Sequence, residues 1–255
     1  MDKALPCLEL HEITKVYSPG FSFRKKKANG VKALDNVSLK LEPGMYGLLG
    51  PNGAGKSTLI SIVTNNLVQT KGKVLWQGKS IRVLGIRYRE TLGFMPQQQN
   101  LYDTFTGRRF LTYLCVLKKI PKKETADEVE RTAAAFNLTA QLDKRLSAYS
   151  GGMKQRLLAA AAIIGKPELV ILDEPTAGLD PKERVRMRNY MKELSRNCVL
   201  LIATHVVSDV EDVADEIILL NKGQIVDKGA PAVLVSKYEG CRGLEDVYLH
   251  IFGED

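Results

Sequence analysis

The most constraining feature of the sequence is a glycine-rich stretch, GPNGAGKST, at residues 50–58. Residues 45–49 before it are apolar enough for a short buried strand, and residues 59–67 after it keep apolar side chains at helical spacing. The glycines let the backbone curl with its N–H groups turned inward, where a strand ends and a helix begins. The helix N-terminus adds partial positive charge there. The pattern predicts a loop that binds phosphate groups.

The spacing inside this stretch matches the P-loop pattern, because four residues separate Gly50 from Gly55, Lys56 and Ser57. Lys56 brings a full positive charge to the outer phosphates, and the Ser57 hydroxyl is a ligand for Mg²⁺. We therefore expect a nucleoside triphosphate here; the alternative, a glycine turn capped by Ser57, is disfavoured by the strand–helix setting. The residues expected to contact the nucleotide are Gly50, Pro51, Asn52, Gly53, Ala54, Gly55, Lys56, Ser57 and Thr58.

Composition limits the surroundings in which the chain works. The 255 residues can bury a core as one large domain or as a domain with an inserted lobe, and four scattered cysteines without a CxxC pair favour a reducing cytoplasm. The first residues carry charges where a signal peptide needs an apolar run. The most apolar run, 157–165, is about half as long as a membrane span. We expect a soluble chain.

The net charge of +8 is compatible with nucleic acid, an anionic membrane surface or an ordinary solvated surface as its explanation. Basic residues cluster at 24–27 and 118–123. Neither cluster has the interleaved aromatic residues of a single-strand binder, and no nucleic-acid-binding motif occurs, so we expect no nucleic-acid partner. A solvated face is favoured for both clusters, and an anionic leaflet is the second interpretation.

The pattern along the chain predicts an α/β core interrupted by a helical lobe. Two alternating strands lie within 8–44, and the pattern becomes helical from about 105 to 165. Almost wholly apolar strands then alternate with helices between 168 and 229, including a short helix at 206–214 and a hairpin that turns at Lys222 and Gly223. Such strands are typical of a parallel sheet buried on both faces.

A pair of adjacent acidic residues follows a buried strand. Four apolar residues, 169–172, lead into Asp173 and Glu174, and Pro175 ends the strand. Since successive side chains on a strand point to opposite faces, we expect the two carboxylates to have different roles. Asp173 is expected to face the Mg²⁺ held by Ser57, through water, and Glu174 to orient or deprotonate an attacking water. A merely solvated acidic pair is the disfavoured alternative.

The stretch AYSGGMKQR, at 148–156, predicts a second anion site on the helical lobe. Ser150 can cap the helix that follows, and Gly151 and Gly152 let a ligand approach the first N–H groups of that helix. Any capped helix could show this pattern alone. Its position between the P-loop and the ILDEP stretch makes the indication strong.

Four motifs in this order, GPNGAGKST, YSGGMKQR, ILDEPTAGLD and IATH, closely resemble the ATP-binding subunit of an ABC transporter over essentially the whole chain. The resemblance implies an α/β fold: a P-loop NTPase (RecA-like) core with an antiparallel β edge and an inserted helical subdomain. It implies one domain over 1–255, in which 1–97 and 166–229 form the core, 98–165 the helical subdomain, and 230–255 the C-terminal helices and tail.

The resemblance also implies roles for single residues. Tyr17 matches the aromatic residue that stacks on adenine, with an ordinary strand aromatic as the alternative. Gln97 matches the glutamine that senses the γ-phosphate and Mg²⁺; Gln98 is the alternative by one residue, and Pro96 favours Gln97. The segment 150–152 matches the signature that closes over the partner subunit's ATP, and Asp180 matches the aspartate that crosses the dimer interface. The implied catalytic residues are Lys56, Glu174 and the γ-phosphate switch His205, and the implied metal ligands are Ser57, Gln97 and Asp173.

The implied function is a Mg²⁺-dependent ATPase that powers transport. The implied partners are a second ATP-binding subunit, identical or related, and a separate transmembrane permease. The permease would hold this chain at the cytoplasmic side of the cell membrane. The C-terminal GLEDVYLHIFG, with no regulatory domain that fits after Gly229, resembles the branch that exports drugs, peptides, polysaccharides or lipids. The alternative is a soluble ABC ATPase acting on ribosomes or DNA. Ribosomal members usually join two such units and DNA-repair members insert long coiled coils, and this sequence shows neither pattern. A P-loop kinase or GTPase has no reason to carry YSGGM.

Overall fold

A computed structural model of the chain describes residues 5–18, 30–97 and 101–253, and the basic cluster at 24–27 lies outside them. The described strands are β1 (Leu8–Tyr17), β2 (Val31–Leu41), β3 (Gly44–Leu49), β4 (Lys71–Trp76), β5 (Lys79–Ser80), β6 (Leu92–Met95), β7 (Leu169–Asp173), β8 (Val199–Thr204), β9 (Glu216–Asn221) and β10 (Gln224–Gly229). The described helices are α1 (Lys56–Val63), α2 (Ile81–Leu84), α3 (Ile86–Thr91), α4 (Gly107–Leu117), α5 (Lys122–Ala135), α6 (Gly151–Ala162), α7 (Pro181–Ser195), α8 (Pro231–Lys237) and α9 (Leu244–Phe252).

The centre of the fold is a six-stranded sheet in the order β10-β9-β3-β8-β7-β6. All its pairs are parallel except β10 with β9. On β7, Val170 and Leu172 pack into the core on one face, whereas Leu169 and Ile171 pack into the core on the other. A strand buried on both faces has no polar side, which explains the continuous apolar runs in the sequence. The predicted α/β class is confirmed.

A second sheet, β2-β1-β4-β5, is antiparallel throughout. Its inward side chains, among them Leu10, Leu34 and Val74, share one core with Leu59 of α1 and Ile171 of β7. Helix α1 is therefore covered by the antiparallel sheet on one side and by the six-stranded sheet on the other. The predicted antiparallel β edge is confirmed.

Helices α4, α5 and α6 are inserted between β6 and β7, which are neighbours in the sheet. Phe110 of α4, Val129 of α5 and Leu157 of α6 belong to the same core as Val170 and Leu172 of β7. The inserted helices thus bury their apolar faces against the face of the sheet opposite to α1. No helix within the three described ranges is both long and apolar enough to cross a membrane.

The prediction of a helix at 206–214 is wrong, since this segment contains only one turn of 3-10 helix, Val207–Asp209. The Asp209 carboxylate is buried and accepts a hydrogen bond from the Thr176 hydroxyl in the loop after β7. This side-chain contact fixes the segment as a loop, and its valines and aspartates favour helix only weakly.

Two helices, α2 and α3, were not predicted from the sequence. Each has fewer than seven residues, and Gly85, with a φ of 54°, interrupts them. Such short helices give no detectable periodicity. Helix α1 also differs from the prediction, because it begins at Lys56 and ends at Val63.

Candidate functional site

The P-loop, residues 50–58, connects β3 to α1 and includes the first residues of α1. Two of its glycines are required by the local geometry. A Cβ atom on Gly50 would lie 2.1 Å from the carbonyl oxygen of Leu220. Gly55 has a left-handed backbone, with a φ of 110°, and a Cβ there would lie 2.7 Å from the carbonyl oxygen of Ala33. Any side chain at these positions would displace the loop from the strands behind it.

The loop is also held by the β9–β10 turn. The Gly223 N–H donates to the Ala54 carbonyl at 2.9 Å, and the Asp35 N–H donates to the Gly223 carbonyl at 2.8 Å. These bonds join the P-loop, the turn and β2 through backbone atoms alone. The loop is therefore preformed and needs no ligand to fix its backbone.

The Lys56 ammonium lies inside the loop and donates to the carbonyl oxygens of Gly50 and Pro51, the latter at 3.1 Å. Burial lowers the pKa of Lys56, and the nearby carboxylates of Glu174 and Asp173 act in the opposite direction. A phosphate oxygen would give this cation a negatively charged partner in place of neutral carbonyls, which adds Coulomb attraction to the hydrogen bond.

The loop opens on a cleft of about 180 Å³. Its lining residues are Ala33, Pro51, Asn52, Gly53, Ala54, Gly55, Lys56, Ser57, Thr58, Gln97, Asp173 and Glu174. Nearly all the residues expected from the sequence to touch phosphate or metal thus meet in one place. Gln97, two residues after the end of β6, is exposed at the rim.

Asp173 is the last residue of β7 and is only 8% exposed. Burial raises the pKa of Asp173 to about 6, the charge of Glu174 adds to the rise, and Lys56 opposes it. A desolvated carboxylate of this kind is incompletely neutralised by its surroundings, and a divalent cation would supply the missing charge. The hydroxyl of Ser57 and the amide of Gln97 line the same cleft, so the donors are the hard oxygen atoms that Mg²⁺ requires.

Strand β7 ends at Asp173, and the next residue, Glu174, has a left-handed backbone with a φ of 50°. The strand alternation used to predict diverging carboxylates therefore does not extend to Glu174, and both side chains line the same cleft. The Glu174 carboxylate accepts hydrogen bonds from the Thr204 hydroxyl and from the backbone N–H of His205, each at 3.0 Å. Its Oε1 also lies 2.7 Å from the ring Nδ1 of His205. The His205 side chain is 60% exposed, so its ring lies at the surface beside the buried carboxylate.

Two residues that contact Glu174 were not predicted from the sequence. Thr204 directly precedes His205 at the end of β8, and this adjacency was the available signal. Gln155 of α6 donates from Nε2 to the backbone carbonyl of Glu174 at 2.7 Å. A contact between a helix side chain and the carbonyl of a distant loop has no sequence pattern, so nothing pointed to Gln155.

Tyr17 lies beside the P-loop at the end of β1. Its hydroxyl is 3.4 Å from Thr58 Oγ1, its side chain is 43% exposed, and the Lys15 ammonium lies 5.1 Å from the ring centre. An exposed aromatic ring next to a phosphate loop has the position and the flat apolar surface that stacking on a base needs. The adenine role of Tyr17 stays a prediction.

The signature residues lie at the N-terminus of α6. The Ser150 hydroxyl accepts a hydrogen bond from the Met153 N–H at 3.3 Å, as predicted for a helix cap. A Cβ on Gly151 would meet no described atom outside its own helix within 4 Å. Asp180 caps α7 by accepting the Glu183 N–H at 3.0 Å. In the described part of the chain, the residues that line the phosphate cleft do not include the signature residues or Asp180.

Comparisons with known proteins agree with this architecture. The ABC transporter domain family matches residues 34–177. "ABC transporter A family member 1" of Dictyostelium discoideum is 35% identical over 217 residues, which cover 85% of this chain and 24% of that protein. The "Uncharacterized ABC transporter ATP-binding protein YxlF" of Bacillus subtilis is 36% identical over 201 residues, covering 78% of this chain and 66% of that protein. The chain spans less than two thirds of either relative.

Solved structures share the fold. The ATP-binding subunit of an ABC transporter has a TM-score of 0.82 at 24% identity, covering 96% of this chain and 98% of that one. A dimeric post-hydrolysis state of an ATP-binding cassette, bound to ADP and Pi, has a TM-score of 0.75 at 23% identity and covers 88% and 98%. A bacterial Atm1-family ABC exporter with ATP bound has a TM-score of 0.77 at 20% identity and covers 98% and 42%. Because the family match takes in more than half of the sequence, the chain belongs to the ABC transporter family.

Proposed function

We propose that the chain binds ATP with Mg²⁺ in the P-loop cleft, hydrolyses it, and so powers a membrane transporter. The observation that carries the proposal is the convergence of Lys56, Ser57, Asp173 and Glu174 on one preformed loop. This set supplies a cation for phosphates, oxygen donors for a metal and a second carboxylate for a water molecule. Each is a part that phosphoryl transfer to water requires.

In this proposal Lys56 contacts the outer phosphates, together with the loop N–H groups and the N-terminus of α1. Ser57, Asp173 and Gln97 would hold Mg²⁺, which neutralises phosphate charge when it is bound. Glu174 accepts the proton of the attacking water. Its Oε1 is already engaged by two His205 groups, whereas Oε2 accepts only the Thr204 hydroxyl among the described residues. A carboxylate oxygen can accept two bonds, so Oε2 is the atom with capacity for the water.

We propose that two copies of the chain, or this chain and a related one, act head to tail. The α6 N-terminus, with Ser150, Gly151 and Gly152, would close over the ATP held by the other subunit's P-loop. Its open position, outside the residues that line its own cleft, supports this arrangement. ATP would favour the closed pair more than ADP does, because the γ-phosphate contacts both subunits, and this difference in affinity would drive the conformational cycle.

The transmembrane permease is proposed as a separate partner, with this chain at the cytoplasmic side of the cell membrane. A groove of about 510 Å³ between β6 and the inserted helices is lined by apolar residues that include Leu92, Phe94, Phe110, Leu114 and Leu158. An apolar groove of this kind suits the side chains of a partner's helix or loop. Export of a drug, peptide, polysaccharide or lipid remains the proposed direction and cargo, on the likeness of the C-terminal segment.

The division of the chain is likewise a proposal: one ABC domain over 1–255, with a core of 1–97 and 166–229, a helical subdomain of 98–165 and C-terminal helices and tail from 230 to 255. The insertion of α4 to α6 between two neighbouring parallel strands supports the first two units. Helices α8 and α9 follow the last strand and support the third.

The test is phosphate release by the purified chain, with and without Mg²⁺, in the native protein and in Lys56→Ala. We expect the native chain to release phosphate from ATP in a Mg²⁺-dependent way and Lys56→Ala to lose this activity. Binding of a fluorescent ATP analogue should also be weakened in Lys56→Ala, and this measurement is informative even where turnover is slow. Lys71→Ala, an exposed lysine of β4, is the matched control and should behave as the native chain. Hydrolysis at the native rate by Lys56→Ala would refute the P-loop assignment.

A further inference from the structure

A basic edge, defined as residues 81–91 and 116–124, carries a large positive charge within the described part of the chain. It holds α2, α3, the last turn of α4 and the start of α5. Seven lysines and arginines stand against two glutamates in these segments, a net +5 of the total +8. The positive charge is therefore concentrated in this edge and in the cluster at 24–27, which carries a further +4.

Contacts between the two segments make the basic edge one continuous surface. The Lys118 ammonium donates to the Arg89 carbonyl at 3.0 Å and also to the Leu92 carbonyl, and burial lowers its pKa. Lys119 and Glu90 form an ion pair at 2.6 Å. Lys118 thus joins the segments, and the cations left at the surface are Arg82, Arg87, Arg89, Lys119, Lys122 and Lys123.

Large apolar side chains are exposed among these cations. Val83 is 85% exposed, Ile86 66%, Val116 65% and Leu117 59%. Ile86 and Leu117 lie at the exposed rim of the groove whose buried floor, with Phe110 and Leu158, is proposed for the permease. Val116 lines a second groove, and Lys119 borders both. Water-exposed apolar groups that are grouped in this way mark a surface that another body covers.

We infer that the basic edge binds the surface of a membrane that contains anionic lipids. The four exposed apolar side chains enter the interfacial region, and the six surface cations contact the headgroups, which is the combination that holds peripheral proteins on such membranes. Nucleic acid fits less well, because the one aromatic residue of the edge, Tyr88, is buried and cannot stack on bases. This contact adds lipid to the proposed partners and requires neither nucleotide nor permease.

The experiment is co-sedimentation of the full chain, without nucleotide, with vesicles of phosphatidylcholine alone or mixed with phosphatidylglycerol. We expect binding only to the mixed vesicles, decreasing as salt is added because headgroup charges are screened. Each lysine near an anionic surface contributes about fivefold in affinity, so Lys122→Gln with Lys123→Gln should weaken binding about 30-fold. The control pair, Lys71→Gln with Lys73→Gln in β4, should change it by less than about twofold.

The apolar part is tested with Val83→Ser, which should weaken vesicle binding about fivefold, against Val233→Ser of α8, which is 57% exposed and should not. All these side chains are exposed, so the variants should fold as the native chain does. The inference fails if mixed vesicles are not bound, or if both lysine pairs have equal effects. It also fails if an RNA oligonucleotide or polyglutamate binds more tightly than the vesicles and Val83→Ser changes nothing, since the edge then serves an acidic macromolecule. None of these results depends on ATP hydrolysis, so the proposed function is judged separately.

Discussion

Helices α1 and α6 both have glycine at their N-terminal ends, Gly55 just before α1 and Gly151 at the start of α6, and both offer their first N–H groups to a ligand, but their surroundings differ. The N-terminus of α1 lies in an enclosed cleft with a lysine, a hydroxyl and two carboxylates. The N-terminus of α6 is open at Gly151, where an added Cβ would meet no described atom outside its own helix within 4 Å, whereas a Cβ on Gly152 would lie 3.3 Å from the carbonyl oxygen of Gly178. The Ser150 hydroxyl there is engaged by the helix itself, as its cap.

The difference indicates that the two helix N-termini have different binding roles within one chain. An exposed helix N-terminus attracts an anion by only about 0.3–1 kcal/mol, which is too little to hold a nucleotide. The α1 site adds a full charge and enclosure, so it can bind alone. The α6 site becomes useful only when another molecule presents a phosphate to it, which is what the head-to-tail pair would provide.

The largest expected effect separates the two carboxylates of the enclosed site. In Glu174→Gln the amide oxygen can still accept from His205, and the Thr204 hydroxyl can turn to accept from the new NH₂ group, so the geometry is kept while the base is lost. We expect turnover to fall by about 10²–10⁴. ATP binding should survive, and an ATP-stabilised dimer should persist on a sizing column.

Asp173→Asn is the matched control, since it weakens the metal site that hydrolysis requires and should not give a long-lived closed dimer. Native turnover in Glu174→Gln would mean that Glu174 is not the base. Equally stable dimers from both variants would mean that Glu174 and Asp173 do not have the separate roles of base and metal ligand.

The next effect tests the open site. In Ser150→Arg a bulky side chain enters the space at the α6 N-terminus, so ATP-driven dimerisation should be lost while monomer binding of ATP stays within about twofold, because the P-loop cleft is untouched. Light scattering with and without ATP measures the first quantity and analogue binding the second. Ser150→Thr keeps the helix cap and should dimerise normally. Normal dimers in Ser150→Arg would show that the two helix ends do not meet across a subunit boundary.

A smaller effect is expected where the two regions touch, through Gln155. Its bond to the Glu174 carbonyl joins α6 to a residue with a left-handed backbone, which only surrounding contacts can hold in place. Gln155→Ala should lower kcat up to about tenfold, the value of one hydrogen bond, with KM nearly unchanged. Lys154→Ala removes a neighbouring surface side chain of α6 and should leave kcat unaltered. A larger change in KM than in kcat would contradict a role in positioning Glu174.

The enclosed region could be predicted almost entirely from the sequence. Gly50, Lys56 and Ser57 lie within one short segment, and local backbone rules fix how such a segment folds. The end of β7 at Asp173 was visible because a buried strand has a continuous apolar run. Information of this kind is local, so the P-loop cleft and the α/β class followed from it.

Contacts that depend on tertiary packing could not be predicted. The backbone of Glu174 and its bonds to Gln155 and Thr204 join three elements that are far apart in sequence. The segment 206–214 has the local pattern of a helix, but the buried bond from Thr176 to Asp209 makes it a loop. Helices α2 and α3 are too short to show a helical period in the sequence. Because they form half of the basic edge, that surface could not be predicted either.

The smallest effect concerns Asp180, which has a visible structural role and a proposed one across the dimer. Its carboxylate caps α7, so Asp180→Ala should destabilise the chain by about 1 kcal/mol and lower Tm by about 2–4 °C. Asp180→Asn keeps a good cap and should leave Tm nearly unchanged, while removing the charge. If Asp180 also crosses the interface, both variants weaken ATP-driven dimers, although only the alanine variant melts earlier. Native dimerisation by Asp180→Asn would restrict Asp180 to capping α7 and leave α6 alone to complete the partner's site.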